Sequence, residues 1–308
     1  MRAAVYDEFG DADVLKVRDF GDPPVGPDVI LVRVKATSVN PVDWKIRQGH
    51  LQGAYPHHLP IIPGWDVAGV VEAVGPAVVT GLEVGDEVWG YVRRDDVQWG
   101  TAAELVPAPQ RTVAKKPQSL SFEEAAAFPL AGLTAYQCLV DALEIQAGER
   151  VLIHAASGGV GQFAVQIALA KGAEVIGTAS SGNHDILREL GASEVIDYHD
   201  GPISSQLSCT VDAVLDLVGG EALEDAPNQV KDPSRIASII DAQKVLELGG
   251  HYVFVRPERE HLDALAALVE DSRLRVDIAK TFPLEKIADA HRMSEAGHTH
   301  GKIVVTLG

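Results

Sequence analysis

Val151-Leu-Ile-His-Ala-Ala-Ser-Gly-Gly-Val-Gly161 decides how this chain folds. Its first four residues, Val151–His154, are apolar enough for a buried strand. The turn that follows sets Ala156, Gly158 and Gly161 in the spacing A-x-G-x-x-G, and Val160 to Lys171 reads as a helix. Strand, glycine turn and helix in that order build an anion site. Gly158 lets the backbone approach a pyrophosphate, and Gly161 lets the helix pack on the strand. The helix N-terminus offers unpaired N–H groups and the positive end of its dipole. Ala156 replaces the glycine that serves the turn, not the ligand.

Outward from that turn, strands and helices alternate from Arg150 to Pro257. Strands are expected at Glu174–Thr178, Glu194–Ile196, Val211–Leu217, Arg235–Ile240 and His251–Val255, with a helix over His184–Leu190 stopped by Gly191. Alternation of this kind predicts a parallel, doubly wound sheet. The second strand ends in Thr178-Ala179-Ser180-Ser181, with no acid to hold a ribose 2′-hydroxyl. A carboxylate there, about 4 Å from a 2′-phosphate, would cost of order 4 kcal/mol at an effective dielectric near 20. Its absence permits NADP. Ser180, Ser181 and Asn183 offer neutral donors, and His184 and Arg188 add positive charge, so NADPH is expected to bind more tightly than NADH.

The first 120 or so residues read differently. Val29–Thr37 alternates apolar and polar residues, and Asp66–Val74, Asp86–Val92, Ala102–Val106 and Arg111–Ala114 are further strand candidates. Glycine and proline separate them, as in a compact barrel. Ser121-Phe-Glu-Glu124 fits a capping box and opens a helix; a second is expected over Gly132–Ala142. The end of the chain holds a helix near Arg259–Glu270, another after Pro283 and a strand at Lys302–Leu307.

Composition limits what such a chain does. Its 308 residues suit about two domains at roughly 150 residues each. A net charge of −18 repels a phosphate backbone and argues against nucleic-acid binding. With 46% apolar and 23% charged residues it is globular and not disordered. Cys138 and Cys209, two cysteines in all, are too few for a four-cysteine zinc site or a disulfide framework. Both read as small buried hydrophobes in a reducing compartment. The longest stretch free of Asp, Glu, Lys and Arg, Val151–Ala170, carries His154, Ser157 and two glutamines, so no membrane span is expected. Met-Arg-Ala-Ala-Val-Tyr-Asp-Glu at the start has no apolar core for a signal peptide, which points to the cytoplasm.

Several further stretches carry a resemblance: Ala36-Thr-Ser-Val-Asn40-Pro-Val-Asp43-Trp44, Pro63-Gly-Trp-Asp-Val-Ala-Gly69, Val84-Gly-Asp-Glu-Val-Trp-Gly90, Gly100-Thr-Ala-Ala-Glu104, Pro129-Leu-Ala-Gly-Leu-Thr134 and Gly301-Lys-Ile-Val-Val305. With the nucleotide motif placed late, the chain resembles the medium-chain dehydrogenase/reductase superfamily, and within it the zinc-free quinone oxidoreductases. The resemblance implies an α/β protein with a GroES-like barrel over residues 1–122, completed by 258–308, and an inserted Rossmann domain over 123–257. It also implies hydride transfer from NADPH to a quinone or an α,β-unsaturated carbonyl, and a homodimer paired at the Tyr252–Val255 strand.

The departures from zinc-dependent relatives carry equal weight. Those enzymes place a cysteine ligand where this chain has Asn40, a histidine where it has Trp65, and a relay hydroxyl where it has Val42. Asn and Trp do not make a tetrahedral zinc site. The structural-zinc lobe is missing too, since ten residues without cysteine separate Trp89 from Gly100. His57-His58, His298 and His300 read as solvated loop histidines, so no metal is expected. By resemblance, Asn40 and Thr134 lie near the nicotinamide, and Ser157, Gly158, Gly159 and Val160 hold the pyrophosphate. Ser180, Ser181, His184 and Tyr198 surround the adenine ribose and its phosphate. Val218, Gly219, Phe254 and Val255 flank the other ribose and the nicotinamide, and Lys302 completes the set. Tyr55 is the candidate proton donor to the substrate oxygen. Trp44, Trp65 and Trp99 could line an apolar cleft, and Asp197 and Asp216 read as loop caps. Two other functions fit the same motifs: a pathway-specific enoyl or enone reductase, and a weakly catalytic NADPH-binding protein. A methyltransferase fits less well, because it too needs an acid at the second strand tip.

Overall fold

The computed structural model describes residues 1–297 and 299–307. They form two compact units: Met1–Leu130 with Pro257–Glu270 and Val276–Gly308, and Ala131–Arg256 with Asp271–Arg275.

The first unit begins with β1 (Arg2–Val5), β2 (Lys16–Asp19) and the long β3 (Val29–Val39). A helix α1 (Pro41–Arg47) follows, then β4 (His57–Ile62), β5 (Asp66–Val74), β6 (Glu87–Tyr91), β7 (Val97–Trp99), β8 (Leu105–Pro109), β9 (Val113–Lys115) and α2 (Phe122–Ala126). In β3, Ile30, Val32, Val34 and Ala36 are buried and Arg33 is exposed, but Leu31 and Thr37 on the face of Arg33 are buried as well, so the expected alternation holds only at the middle of the strand. Arg33 forms a fork with Glu72 of the neighbouring β5, at 2.9 and 2.7 Å. Helix α2 starts at the Ser121–Glu124 capping box, with Glu124 N–H donating to Ser121 Oγ at 3.2 Å.

The second unit begins within α3 (Pro129–Tyr136), at Ala131, and α3 runs on into a π-helical turn over Gln137–Ala142. Then come β10 (Arg150–Ile153), α4 (Gly159–Ala170), β11 (Glu174–Ala179), α5 (His184–Leu190), β12 (Glu194–Asp197), α6 (Ile203–Gln206), β13 (Ala213–Asp216), α7 (Gly220–Gln229), β14 (Ile236–Ser238), α8 (Ala242–Glu247) and β15 (His251–Tyr252). The strands run parallel in the order β12-β11-β10-β13-β14-β15. Leu152, Ile176, Ile196, Val214 and Ile236 from five of them are buried in one apolar cluster with Leu223 and Val245. Such strands read as apolar runs because parallel sheets are covered on both faces.

The chain closes with α9 (Arg259–Glu270), β16 (Ile278–Pro283), α10 (Ile287–Glu295) and β17 (Lys302–Thr306). β17 pairs antiparallel with β3, matching Ile303 to Val39 and Thr306 to Ala36. The first unit's main sheet thus runs β16-β17-β3-β5-β6-β9, with β8 also on β3.

Several expected elements differ. Gln110–Thr112 is a 3₁₀ turn, so of the Arg111–Ala114 candidate only Val113 and Ala114 are strand, which runs on to Lys115. Ala102 and Ala103 precede β8, and Ala103 bridges to Ala3 instead. β15 stops at Tyr252, with Val253 making a last bond to Ser238. Among the described residues it has a parallel neighbour on one side alone, β14, which itself ends at Ser238. Helix α1 carries no helical apolar period that announced it. Cys138 is buried, but Cys209 is exposed, contrary to expectation, and its sulfur accepts a hydrogen bond from Arg150 Nη1 at 2.6 Å. No helix among the described residues is long and apolar enough to cross a membrane.

Candidate functional site

In the second unit, β10 delivers the chain into a tight turn. Ala155 stands at φ +47°, which a side chain adopts only when its surroundings enforce it. Here the tip of β11 does so. Thr178 Oγ1 accepts from Ala155 N–H at 3.1 Å and the Thr178 carbonyl from Ala156 N–H at 3.0 Å. Gly158 then caps α4, whose first i→i−4 bond runs from Gln162 to Gly158 at 3.0 Å. The N–H groups of Gly159, Val160 and Gly161 come before that bond, so the helix leaves them for a ligand.

The two motif glycines do separate jobs. A Cβ on Gly161 would sit 2.4 Å from the Ala155 carbonyl oxygen and 2.6 Å from Ala156 Cα, so the helix touches the turn there. A Cβ on Gly158 would meet only the Ala155 oxygen, at 3.2 Å. Gly158 therefore keeps space open on the ligand side. The backbone cradle fits a pyrophosphate.

Beside this turn lies a cleft of about 1070 Å³, lined among others by His154, Thr178, Tyr198, Ile203, Val218 and Glu221. It opens at the carboxyl ends of the strands where β11 and β13 leave β10 in opposite directions, the place where such sheets bind ligands. Large apolar side chains stand exposed at these strand ends: Tyr198 (51%), Val218 (51%), Ile240 (48%) and Phe254 (40%). Of these, Tyr198 and Val218 line the cleft, and exposed apolar groups at a crevice mark a binding surface. Val255 follows Phe254, and Thr134 is buried on α3.

At the tip of β11, Asn183 Nδ2 donates to Ser180 Oγ at 3.0 Å and Ser181 follows it in the turn. The His184 ring lies 3.3 Å from the Ala179 carbonyl. Arg188 is spent elsewhere, paired with Asp185 at 2.9 Å. His199, which sequence reasoning did not single out, stacks against Tyr198 with ring centroids 4.2 Å apart and bonds Asp197 at 2.8 Å. Its place beside Tyr198 in the chain was the available signal. Asp197 and Asp216 both cap loops: Asp197 accepts from His199 N–H at 3.0 Å, and Asp216 from the N–H groups of Val218 and Gly219.

The first unit gathers a different set. Asn40, Asp43, Asp66 and Lys302 are all buried together with Ser38. Asn40 Oδ1 accepts from Lys302 Nζ, and Asn40 Nδ2 donates to Asp66 Oδ2 at 2.8 Å. Asp66 also accepts from Ser38 Oγ at 2.6 Å and Leu130 N–H at 2.7 Å; Asp43 accepts from Asn40 N–H at 2.7 Å. Burial pushes the Asp66 carboxyl up, against the pull of Lys302, and pushes Asp43 up to about 7. Burial pushes Lys302 down, against Asp66 and Asp43. Lys302 is thus no solvated edge residue, and Asn40 spends both polar atoms inside this cluster.

Tyr55 lies nearer the surface of the same unit. Its phenolic oxygen accepts from Arg93 Nη1 at 2.9 Å, and its ring meets Trp65 edge-on at 6.3 Å. Trp65 in turn packs on Tyr91. Trp44 and Trp99 pack elsewhere, on His50 and Phe20. Arg93 was missed in the sequence, although it lies in the loop between Tyr91 and Trp99. His57 turns its Nδ1 to the Tyr55 carbonyl at 2.8 Å while His58 is exposed, and His298 lies outside the described residues.

A model of the alcohol dehydrogenase GroES-like domain matches residues 26–118, and one of a zinc-binding dehydrogenase domain matches residues 190–305. The 2-methylene-furan-3-one reductase of Solanum lycopersicum is 35% identical over 99% of this chain and 79% of its own length. The chloroplastic NADPH-dependent alkenal/one oxidoreductase of Arabidopsis thaliana gives the same three figures. The solved quinone oxidoreductase of Coxiella burnetii superposes with a TM-score of 0.91, at 36% identity, over 100% of this chain and 99% of its own.

Proposed function

This chain belongs to the medium-chain dehydrogenase/reductase superfamily, and on that premise we propose that it is a zinc-independent reductase using NADPH to reduce a quinone or an α,β-unsaturated carbonyl. The observation that carries the nucleotide half is the Gly158–Gly161 helix entrance, which follows directly on Ala155, a residue of the cleft lining at the strand ends. NADPH, when bound, supplies a hydride from its nicotinamide. The chain's part is to hold, orient and exclude water. Gly158, Gly159 and Val160, next to Ser157, receive the pyrophosphate. Ser180, Ser181, His184 and Tyr198 face the adenine ribose. Val218, Gly219, Phe254 and Val255 take the second ribose and the nicotinamide, with Thr134.

Zinc independence rests on the donor set. Asn40 has both polar atoms engaged by Lys302 and Asp66, and Trp65 offers no ligand atom. An acceptor reduced without a Lewis acid must be activated by its own conjugation, which selects quinones and enones. Tyr55, held by Arg93, is the proton donor to the developing oxyanion, while Asn40 and Lys302 act as positioning residues. We place the barrel at residues 1–122 with 258–308 and the nucleotide-binding domain at 123–257. The free Cys138 and Cys209 favour a reducing compartment, the cytoplasm. The β15 edge, unpaired on its outer side among the described residues, favours a homodimer.

The deciding experiment follows NADPH consumption against a panel of quinones and enones. Turnover with either class supports the proposal. Turnover with enones alone marks a dedicated enone reductase, and none with either leaves a nucleotide-binding protein.

A further inference from the structure

The floor of the cleft holds a side chain that the proposed chemistry does not use. His154 ends β10 and is fully buried. Its Nδ1 lies 3.2 Å from Asp216 Oδ1 and its Nε2 lies 2.9 Å from Gln229 Oε1. The neighbours fix which way each partner faces. Gln229 Nε2 is 3.0 Å from Asp225 Oδ2. A carboxylate only accepts, so the amide must turn its NH₂ to Asp225 and its oxygen to His154. Asp225 is kept ionised by Ser204 N–H at 3.0 Å, Ser204 Oγ at 2.7 Å and Asn228 Nδ2 at 3.1 Å. Asp216 accepts from Val218 N–H at 3.1 Å, Gly219 N–H at 3.0 Å and Ser238 Oγ at 2.7 Å, so it too is a carboxylate.

Both atoms that face the ring are therefore acceptors, and each ring nitrogen must carry a hydrogen. We infer that His154 is a buried imidazolium that acts as a positioning residue for the nucleotide cleft. It ties the start of the phosphate turn to the loop after β13 through Asp216, and to α7 and α6 through Gln229 and Asp225. A neutral ring would set a lone pair against an acceptor where no water reaches, whereas the charged ring beside Asp216 makes two charge-assisted bonds. The loop it holds is Val218–Gly220, where Gly219 and Gly220 stand at φ +77° and +54°. That loop and α7 line the cleft. The inference rests on the proposed NADPH site.

Two readouts test it. In ¹⁵N-histidine NMR at pH 7.5, ordinary histidines are mostly neutral. One of the 11 histidines should show both ring nitrogens protonated, and that signal should vanish in His154→Gln. The NADPH Kd of His154→Gln, from fluorescence titration, should rise about tenfold, the scale of one hydrogen bond to a charged group. Should that variant not fold, Gln229→Met removes the Nε2 acceptor and should convert the ring to a single-donor form with weaker NADPH binding. A wild-type spectrum in which every ring has an unprotonated nitrogen overturns the imidazolium. An unchanged Kd in a folded variant that lacks the signal overturns the positioning role. A wild-type chain that binds no NADPH sinks the cofactor proposal and the positioning role with it, while the spectrum still decides the ring's charge.

Discussion

The Arg93 guanidinium donates to the phenolic oxygen of Tyr55 over 2.9 Å and stands 5.6 Å from the centre of the same ring. That contact fixes where the phenol points, toward the oxygen it is proposed to serve. Tyr55→Phe should lower kcat by roughly 10²-fold, the cost of losing one oxyanion donor, and leave the NADPH Kd unchanged. Arg93→Met should act in the same direction to a smaller extent. Wild-type turnover in Tyr55→Phe would make Tyr55 a packing residue.

The two motif glycines should separate binding from folding. Gly161→Ala forces a Cβ to within 2.4 Å of a backbone oxygen, so it should cost about 1–3 kcal/mol in urea unfolding. Gly158→Ala meets one oxygen at 3.2 Å and should unfold nearly as wild type, yet lose NADPH affinity. Equal stabilities for the two variants would reject this division of labour.

The tip of β11 should choose the nucleotide. Wild type should bind NADPH more tightly than NADH in fluorescence titration. Ser180→Asp puts a negative charge beside the 2′-phosphate and should weaken NADPH by at least about tenfold, with NADH little changed. A variant that loses both nucleotides equally would show that Ser180 does not face the phosphate.

Acid should weaken the first unit through His291. Its Nδ1 accepts from Arg47 Nη1 at 3.0 Å, Arg47 itself being buried and paired with Glu295. Burial, helped by the Arg47 charge, holds the imidazole down to about 3. Between about pH 6.5 and 3 the unfolded chain takes up a proton that the native one refuses, so stability falls as the pH drops through that window. The slope contributed is at most about 1.4 kcal/mol per pH unit. Urea unfolding at pH 7 and pH 5 should show a smaller loss in His291→Phe than in wild type; equal losses would acquit His291.

Metal removal should change nothing. Dialysis against a chelator should leave turnover at its starting value, because Asn40 and Trp65 supply no zinc ligand set. Loss of activity restored by zinc would refute the zinc-independent proposal.

The glycine turn, the Ser121 cap, the helix at His184–Leu190 and its Gly191 stop were legible in sequence. Each depends on residues a few positions apart. Gly191, for example, ends α5 at φ +103°, where a Cβ is disfavoured. Short strands were harder: β13 and β15 came out shorter than their apolar runs, because a strand ends where its neighbour ends, and the neighbour is distant in sequence.

By itself the sequence determined the nucleotide-binding turn, the side chains at positions 40 and 65 that cannot hold zinc and the permissive β11 tip, since those are matters of local spacing and of which side chains exist. Only the tertiary structure decided what the remaining polar residues do. Lys302 reaches Asn40 because β17 pairs with β3, and His154 meets Asp216 because β10 lies beside β13. Such groups are costly to bury alone, and only a partner from far along the chain makes their burial tolerable. Which partner arrives depends on strand order and register, and no local pattern states either.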